Sequence, residues 1–194
     1  KEFCFSYMFW GCTSLTSAPT LPAPTLANSC YWGMFQGCTS LTTAPELPAT
    51  TLADDCYDNM FGNCTSLTTA PELPATTLRL GCYSFMFKGC TSLVNVPSIL
   101  PATTLVYECY GSMFEGCTSL TTAPELPANE LDEHCYDSMF KDCTNLNYVK
   151  MMATDFNYVD DCLLFWLEGV SPTGTFVKNA SVQTSEFERG DSGI

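Results

Sequence analysis

Counted from a cysteine, the apolar residues of one stretch fall at positions 0, 1, 4, 5 and 8: Cys56, Tyr57, Met60, Phe61 and Cys64, with Asp58, Asn59 and Gly62 between them. At about 100° per residue these five lie within an arc of about 140°, which predicts a short amphipathic helix. Asp54 and Asp55 precede it, as Asp132 and Glu133 precede a later copy, and carboxylates there complement a helix dipole. Position 7 reads Gly11, Gly37, Asn63, Gly89, Gly116, Asp142 and Gly169. All three residue types tolerate positive φ, so a left-handed residue is predicted to end each helix. Next come Cys-Thr-Ser-Leu and Thr-Thr-Ala-Pro-Glu-Leu-Pro. Pro19, Pro45, Pro71, Pro97 and Pro124 lack a ladder donor and limit each strand to about three or four residues. Pro22, Pro48, Pro74, Pro101 and Pro127 mark a corner back to the next helix.

This unit repeats almost end to end. Its cysteine pairs fall at Cys4/Cys12, Cys30/Cys38, Cys56/Cys64, Cys82/Cys90, Cys109/Cys117 and Cys135/Cys143, with first cysteines 26 or 27 residues apart. Cys162 opens a seventh, degenerate copy in which Leu163, Trp166, Leu167 and Val170 replace Tyr, Met, Phe and the second Cys. A fixed period of this length is the signature of a solenoid whose units bury their apolar faces against one another. The expected fold is an α/β solenoid of about seven 26-residue strand-plus-short-helix units with a C-terminal cap. Strands stack about 4.8 Å apart and helices about 8–10 Å, so the array is expected to curve like a horseshoe, strands on the concave side. Residues 1–150 read as the solenoid, 151–182 as the degenerate repeat and cap, and 183–194 as a polar tail. In the C-terminal segment, Asn147 to Met152 reads as a strand, Asn157 to Glu168 as a helix burying Trp166, and Val170 to Lys178 as a turn and strand.

The phrase Met-Phe-x-x-Cys-x-x-Leu followed by Pro-x-Leu-Pro-x-x-x-Leu, six times over about residues 3–150, resembles the BspA-like, Treponema-type leucine-rich repeats of surface proteins from Bacteroides-like bacteria. Ala-Pro in the strand and a longer corner depart from the usual leucine-rich pattern. The resemblance implies an extracellular or outer-membrane-anchored protein for adhesion or partner binding, without catalysis.

Seven Lys/Arg against 21 Asp/Glu give a formal charge of −14, which repels phosphate backbones and anionic lipid and argues against nucleic-acid or membrane-surface partners. The longest apolar run, Cys162 to Leu167, is far short of the roughly 20 residues that span a bilayer. The chain starts inside a repeat unit and ends without a closing motif, which reads as a fragment of a longer protein, so missing targeting signals carry no weight. Thirteen cysteines suggest disulfides, but on a helix the two of one unit stand about 12 Å apart, beyond the roughly 7 Å a disulfide allows. Buried free thiols are the expected state, with pairing between units the alternative. The spacing is not that of a zinc knuckle, and neither metal nor cofactor is expected.

Candidate binding residues form a column: Glu46, Glu72 and Glu125, with Thr43, Thr69 and Thr122 three residues earlier, while Thr20 and Ser98 replace the glutamate in other copies. Facing the concave side, this Thr/Glu stripe suits cationic peptide segments or hydroxyl-rich glycans; a solvated edge is the plainer explanation. Glu46 and Glu72 could share a divalent cation, although no calcium loop is present. His134 beside Cys135 invites a nucleophile and base, but adjacent helical residues do not face each other. Asn63-Cys64-Thr65 and Asn179-Ala180-Ser181 match the N-glycosylation triplet, and Asp137-Ser138-Met139 resembles an O-glycosylation motif. The function expected is a non-catalytic cell-surface recognition or adhesion module binding protein or glycan. The alternative is a structural or accessory subunit of an outer-membrane lipoprotein complex or phage appendage, which the near-identity of the Thr-Thr-Ala-Pro-Glu-Leu-Pro-Ala copies favours.

Overall fold

The computed structural model describes residues 1–154 and 161–183. The copies stack as a solenoid, and the unit predicted to be helical takes another form. In the copy at Cys56, the amides of Cys56, Asp58, Met60, Gly62 and Cys64 donate to carbonyls three residues back, at 3.0–3.3 Å. The alternate amides, Asp55, Tyr57, Asn59, Phe61 and Asn63, donate instead to Leu80, Cys82, Ser84, Met86 and Lys88 of the next copy, at 2.7–3.1 Å. An α-helix would consume every amide internally through four-residue bonds. Here half of them bind a neighbour, so the unit is a chain of tight turns that doubles as a ladder.

The turning is done by left-handed residues at every fourth position. Asp55, Asn59 and Asn63 have φ of 53°, 52° and 59°, and the same three places are left-handed in every copy. Position 7 is left-handed throughout, as expected, but it ends no helix, because among the described residues there is none. Of the helix expected from Asn157 to Glu168, residues 157–160 lie outside the described residues. Residues 161–169 continue the turn ladder, with positive φ at Asp161, Phe165 and Gly169.

Stacking is in register. The Phe column from Phe9 to Phe140 has ring centroids 5.4–5.7 Å apart and planes within 11°. The Tyr column from Tyr31 to Tyr136 repeats this at 5.7–6.0 Å. Offset stacks of this kind add to the burial of each ring. The second cysteines form a third column. Cys64 Sγ donates to the Phe35 carbonyl of the preceding copy at 3.1 Å, and Cys38, Cys90, Cys117 and Cys143 do the same at 3.0–3.2 Å. All thirteen cysteines are free. Burial pushes the Cys64 and Cys143 thiols up to about 12 and holds Cys90 and Cys117 well above the ordinary thiol range, which keeps them protonated and able to donate.

On the opposite flank the prolines act more severely than expected. Parallel contacts such as Thr43↔Thr69, Thr69↔Asn95 and Thr104↔Glu130 are single bridges, not strands. Among the described residues only β1 (Tyr148–Met151) and β2 (Thr175–Lys178) run to four residues, and they pair in parallel with Tyr148 opposite Thr175. Neither carries a proline. With both flanks joined by backbone bonds between copies, the helix-against-strand mismatch that predicted curvature is not present.

The seventh copy seats itself by the same ladder. Tyr136, Ser138, Phe140 and Asp142 donate to Cys162, Leu164, Trp166 and Glu168. Cys162, Leu163 and Trp166 are buried, Leu167 and Val170 pack at the margin, and Phe176 of β2 meets the Trp166 ring edge-on at 5.8 Å. In the first copy the equivalent side chains Cys4, Phe5, Met8 and Cys12 are exposed, and Phe9 is half-buried.

Candidate functional site

The Thr/Glu column lies on the proline flank, where each threonine is a bridge residue: Thr43 opposite Thr69, and Thr122 opposite Tyr148. Thr43, Glu46, Thr69 and Glu72 are exposed and come together in one open groove. Pro45, Pro48, Pro71 and Pro74 complete its walls, around a volume of about 390 Å³. Glu46 also lines a second hollow with Thr20, Pro19 and Pro22. Glu46 and Glu72 make no ion pair or hydrogen bond among the described residues.

Thr122 and Glu125 sit apart, in a groove with Val94, Asn95, Tyr148 and Lys150. There Glu125 Oε1 binds Lys150 Nζ at 2.8 Å, and that bond raises the lysine ammonium above its ordinary value. The stripe therefore divides into an open acidic part and a neutralised part, with Ser98 between them. The pairing was not visible in the repeat pattern, because Lys150 belongs to β1, where the repeat phrase has broken off. The bridge Leu126↔Met151 sets its register.

The turn flank carries charge and aromatic groups that the periodicity passed over. Asp58 is half-buried and its carboxyl is pushed up to about 7, chiefly by burial and then by the charges of Asp55 and Glu108, while the Trp32 side chain donates to it and lowers it. His134 Nδ1 lies 3.3 Å from Asp137 Oδ2 and does not engage Cys135. Cys135 is buried, with its thiol raised far above the ordinary range, so no thiolate is on hand for nucleophilic chemistry. Among the described residues no group of three His, Cys, Asp or Glu side chains could hold a metal ion, and no helix is long and apolar enough to cross a membrane.

The glycosylation-like triplets fall in contrasting places. The Asn63 side chain stands where a Cβ on Gly89 would meet its Oδ1 at 2.4 Å, and Cys64 is core. Asn179 Oδ1 accepts from the amide and hydroxyl of Ser181. Ser138 donates to Asp137 Oδ1 at 2.7 Å.

Residues 54–165, more than half of the chain, match the family described as the BspA type leucine rich repeat region, in six copies. No curated protein and no solved structure matches the chain.

Proposed function

The chain belongs to the BspA-type leucine-rich repeat family, and from that premise we propose that it is a cell-surface recognition or adhesion module. It binds protein or glycan through the groove of Thr43, Glu46, Thr69 and Glu72. Proteins built from such repeats are generally non-enzymatic interaction modules, and a surface location fits that role. The observation that carries the site is the convergence of two unpaired carboxylates and two hydroxyls on a wall of prolines. Lys and Arg lay their aliphatic stems on apolar surface and keep the charged head free, so a basic side chain fits this lining. The Glu125–Lys150 pair is an internal instance of that contact in the same column.

The test is a Glu46→Lys/Glu72→Lys double variant, assayed by surface plasmon resonance on extracellular-matrix proteins and by glycan array. Loss of the wild-type signal in a folded double variant supports the groove, and an undiminished signal removes it. A second reading rests on three identical octapeptides, at 42–49, 68–75 and 121–128. A face so uniform also suits a structural or accessory subunit of an outer-membrane lipoprotein complex or phage appendage. A stoichiometric partner co-purifying from the source cells would favour that reading; recovery alone would favour recognition.

A further inference from the structure

The proline flank repeats one octapeptide in the second, third and fifth copies, whereas the outward columns of the turn flank change from copy to copy. The residue before the first cysteine is Asp55, Gly81, Glu108 and His134 in successive copies, and position 3 is Asn59, Phe85, Ser112 and Ser138. A surface that selects one ligand needs non-identical groups converging on a point. The turn flank supplies such a point between the fourth, fifth and sixth copies, independently of the groove described above.

There Phe85, Tyr107, Glu108, Ser112, His134 and Asp137 line a hollow of about 250 Å³. Tyr107 is 39% exposed, and its ring meets His134 edge-on at 5.6 Å. Gly111 keeps the floor open, since a Cβ there would meet Glu108 Cγ at 2.9 Å and Ser84 Oγ at 3.3 Å. Ser112 is only 7% exposed and lines the hollow, yet its hydroxyl has no hydrogen-bond partner among the described residues. Among the described residues the enclosed side-chain polar atoms without a partner are Tyr83 Oη and Trp166 Nε1; Ser112 Oγ is not one of them and opens into the hollow, where it can both donate and accept.

The chemistry of the lining is selective. Glu108 accepts only a long 3.4 Å bond from Ser84 Oγ and has capacity to spare. Asp137 already takes Ser138 and faces His134, one on each oxygen. Lys88 Nζ, over the Phe85 ring at 5.3 Å, is already held by Glu115 at 2.9 Å and is not free to pair with a ligand. What fits is a neutral group that both donates and accepts hydrogen bonds around an apolar ring face: hydroxyl protons to Glu108, a hydroxyl exchanged with Ser112, and C–H faces against Tyr107.

We propose that this hollow binds one pyranose unit of a glycan. A single unit of about a dozen heavy atoms held by one platform and a few hydrogen bonds should bind with an affinity on the order of millimolar. The test is saturation-transfer NMR on the full chain with the methyl glycosides of glucose, galactose, mannose and N-acetylglucosamine, each at millimolar concentration. At least one should receive saturation at its ring protons. Tyr107→Ala should weaken that binding about tenfold, the worth of one aromatic contact, and Glu108→Gln should weaken it too. Both sites are at the surface, and an unchanged thermal transition certifies the fold. The Glu46→Lys/Glu72→Lys variant should keep the full signal, so failure of one site leaves the other standing. Absence of transfer to all four glycosides overturns the proposal. So does a signal indifferent to both variants, or preferential binding of lysine methyl ester in the hollow.

Discussion

Gly33 separates the turn ladder from a helix by the sign of one measurement. It occupies position 3 of the second copy, the middle of the segment whose apolar arc predicts a helix. In a helix interior Gly→Ala stabilises by about 1 kcal/mol. In the ladder Gly33 has φ +57°, and a Cβ there would meet the Tyr7 ring at 2.4 Å. Holding a non-glycine residue in the left-handed region costs about 1–2 kcal/mol. The Tyr7 ring, 41% exposed, can swing aside, so its displacement adds little. The net expectation for Gly33→Ala is a loss of about 1–2 kcal/mol, or a fall in Tm of about 2–8 °C for a chain of this size. Urea unfolding followed by tryptophan fluorescence reads it, since Trp10 and Trp32 flank the site. Because solenoid copies unfold semi-independently, amide exchange at Tyr31 and Phe35 should be followed as well. Both donate to the third copy and should exchange faster in the variant. A rise in Tm, or slower exchange at these amides, would refute the ladder.

Two further outcomes follow from the buried groups. Asp58 holds its proton up to about pH 7 in the fold, whereas an unfolded aspartate loses it near pH 4. The folded state therefore binds more protons in that window, and this contribution is full below about pH 4 and lost as pH rises toward 7. Asp58→Asn should flatten the pH dependence of urea midpoints and stabilise the protein at pH 8 by roughly 1–3 kcal/mol; an unchanged slope would sink the assignment. Of the thirteen thiols, only Cys4 and Cys12 are exposed. A thiol-specific disulfide reagent should label two quickly and the other eleven only on unfolding, and rapid labelling of more than two would contradict the hydrogen-bonded thiol column.

The repeat boundaries, the buried columns and the left-handed seventh position were legible because each depends on a residue type that returns every 26 or 27 residues. The local conformation was not. Apolar residues at 0, 4 and 8 with 1 and 5 satisfy a 3.6-residue helix and a four-residue turn period equally well over nine residues. Length would have separated them, since the two periods drift apart only over several turns. Of the other left-handed places, Gly33, Gly81, Asp55, Asn59 and Asp161 hold residue types that tolerate positive φ, but Phe3, Tyr7, Phe85, Glu108 and Phe165 give no hint of it. Stacking imposes it: the ladder amides must point at the next copy, and the chain turns as that requires. The Thr/Glu stripe was legible as a column but not as a groove. Lys150 reaches Glu125 only through a register that β1 creates.

In-register stacking gives each flank a different capacity to recognise. Equivalent side chains are set about one strand spacing apart, so a uniform column such as Thr43/Thr69 with Glu46/Glu72 offers the same contact over and over. It can gain strength by multiplicity, but it cannot fix a ligand along the axis. A varied column behaves otherwise. Replacing Asp55 by Gly81, Glu108 and His134 down the turn flank brings unlike groups to neighbouring positions without disturbing the ladder, whose bonds are all backbone. The core columns of Phe, Tyr and Cys hold the spacing constant, and the outward positions −1, 2, 3 and 6 are free to differ. Specificity is therefore expected where the repeat is least regular on its surface and most regular beneath it, which is the stretch around Glu108 and Ser112.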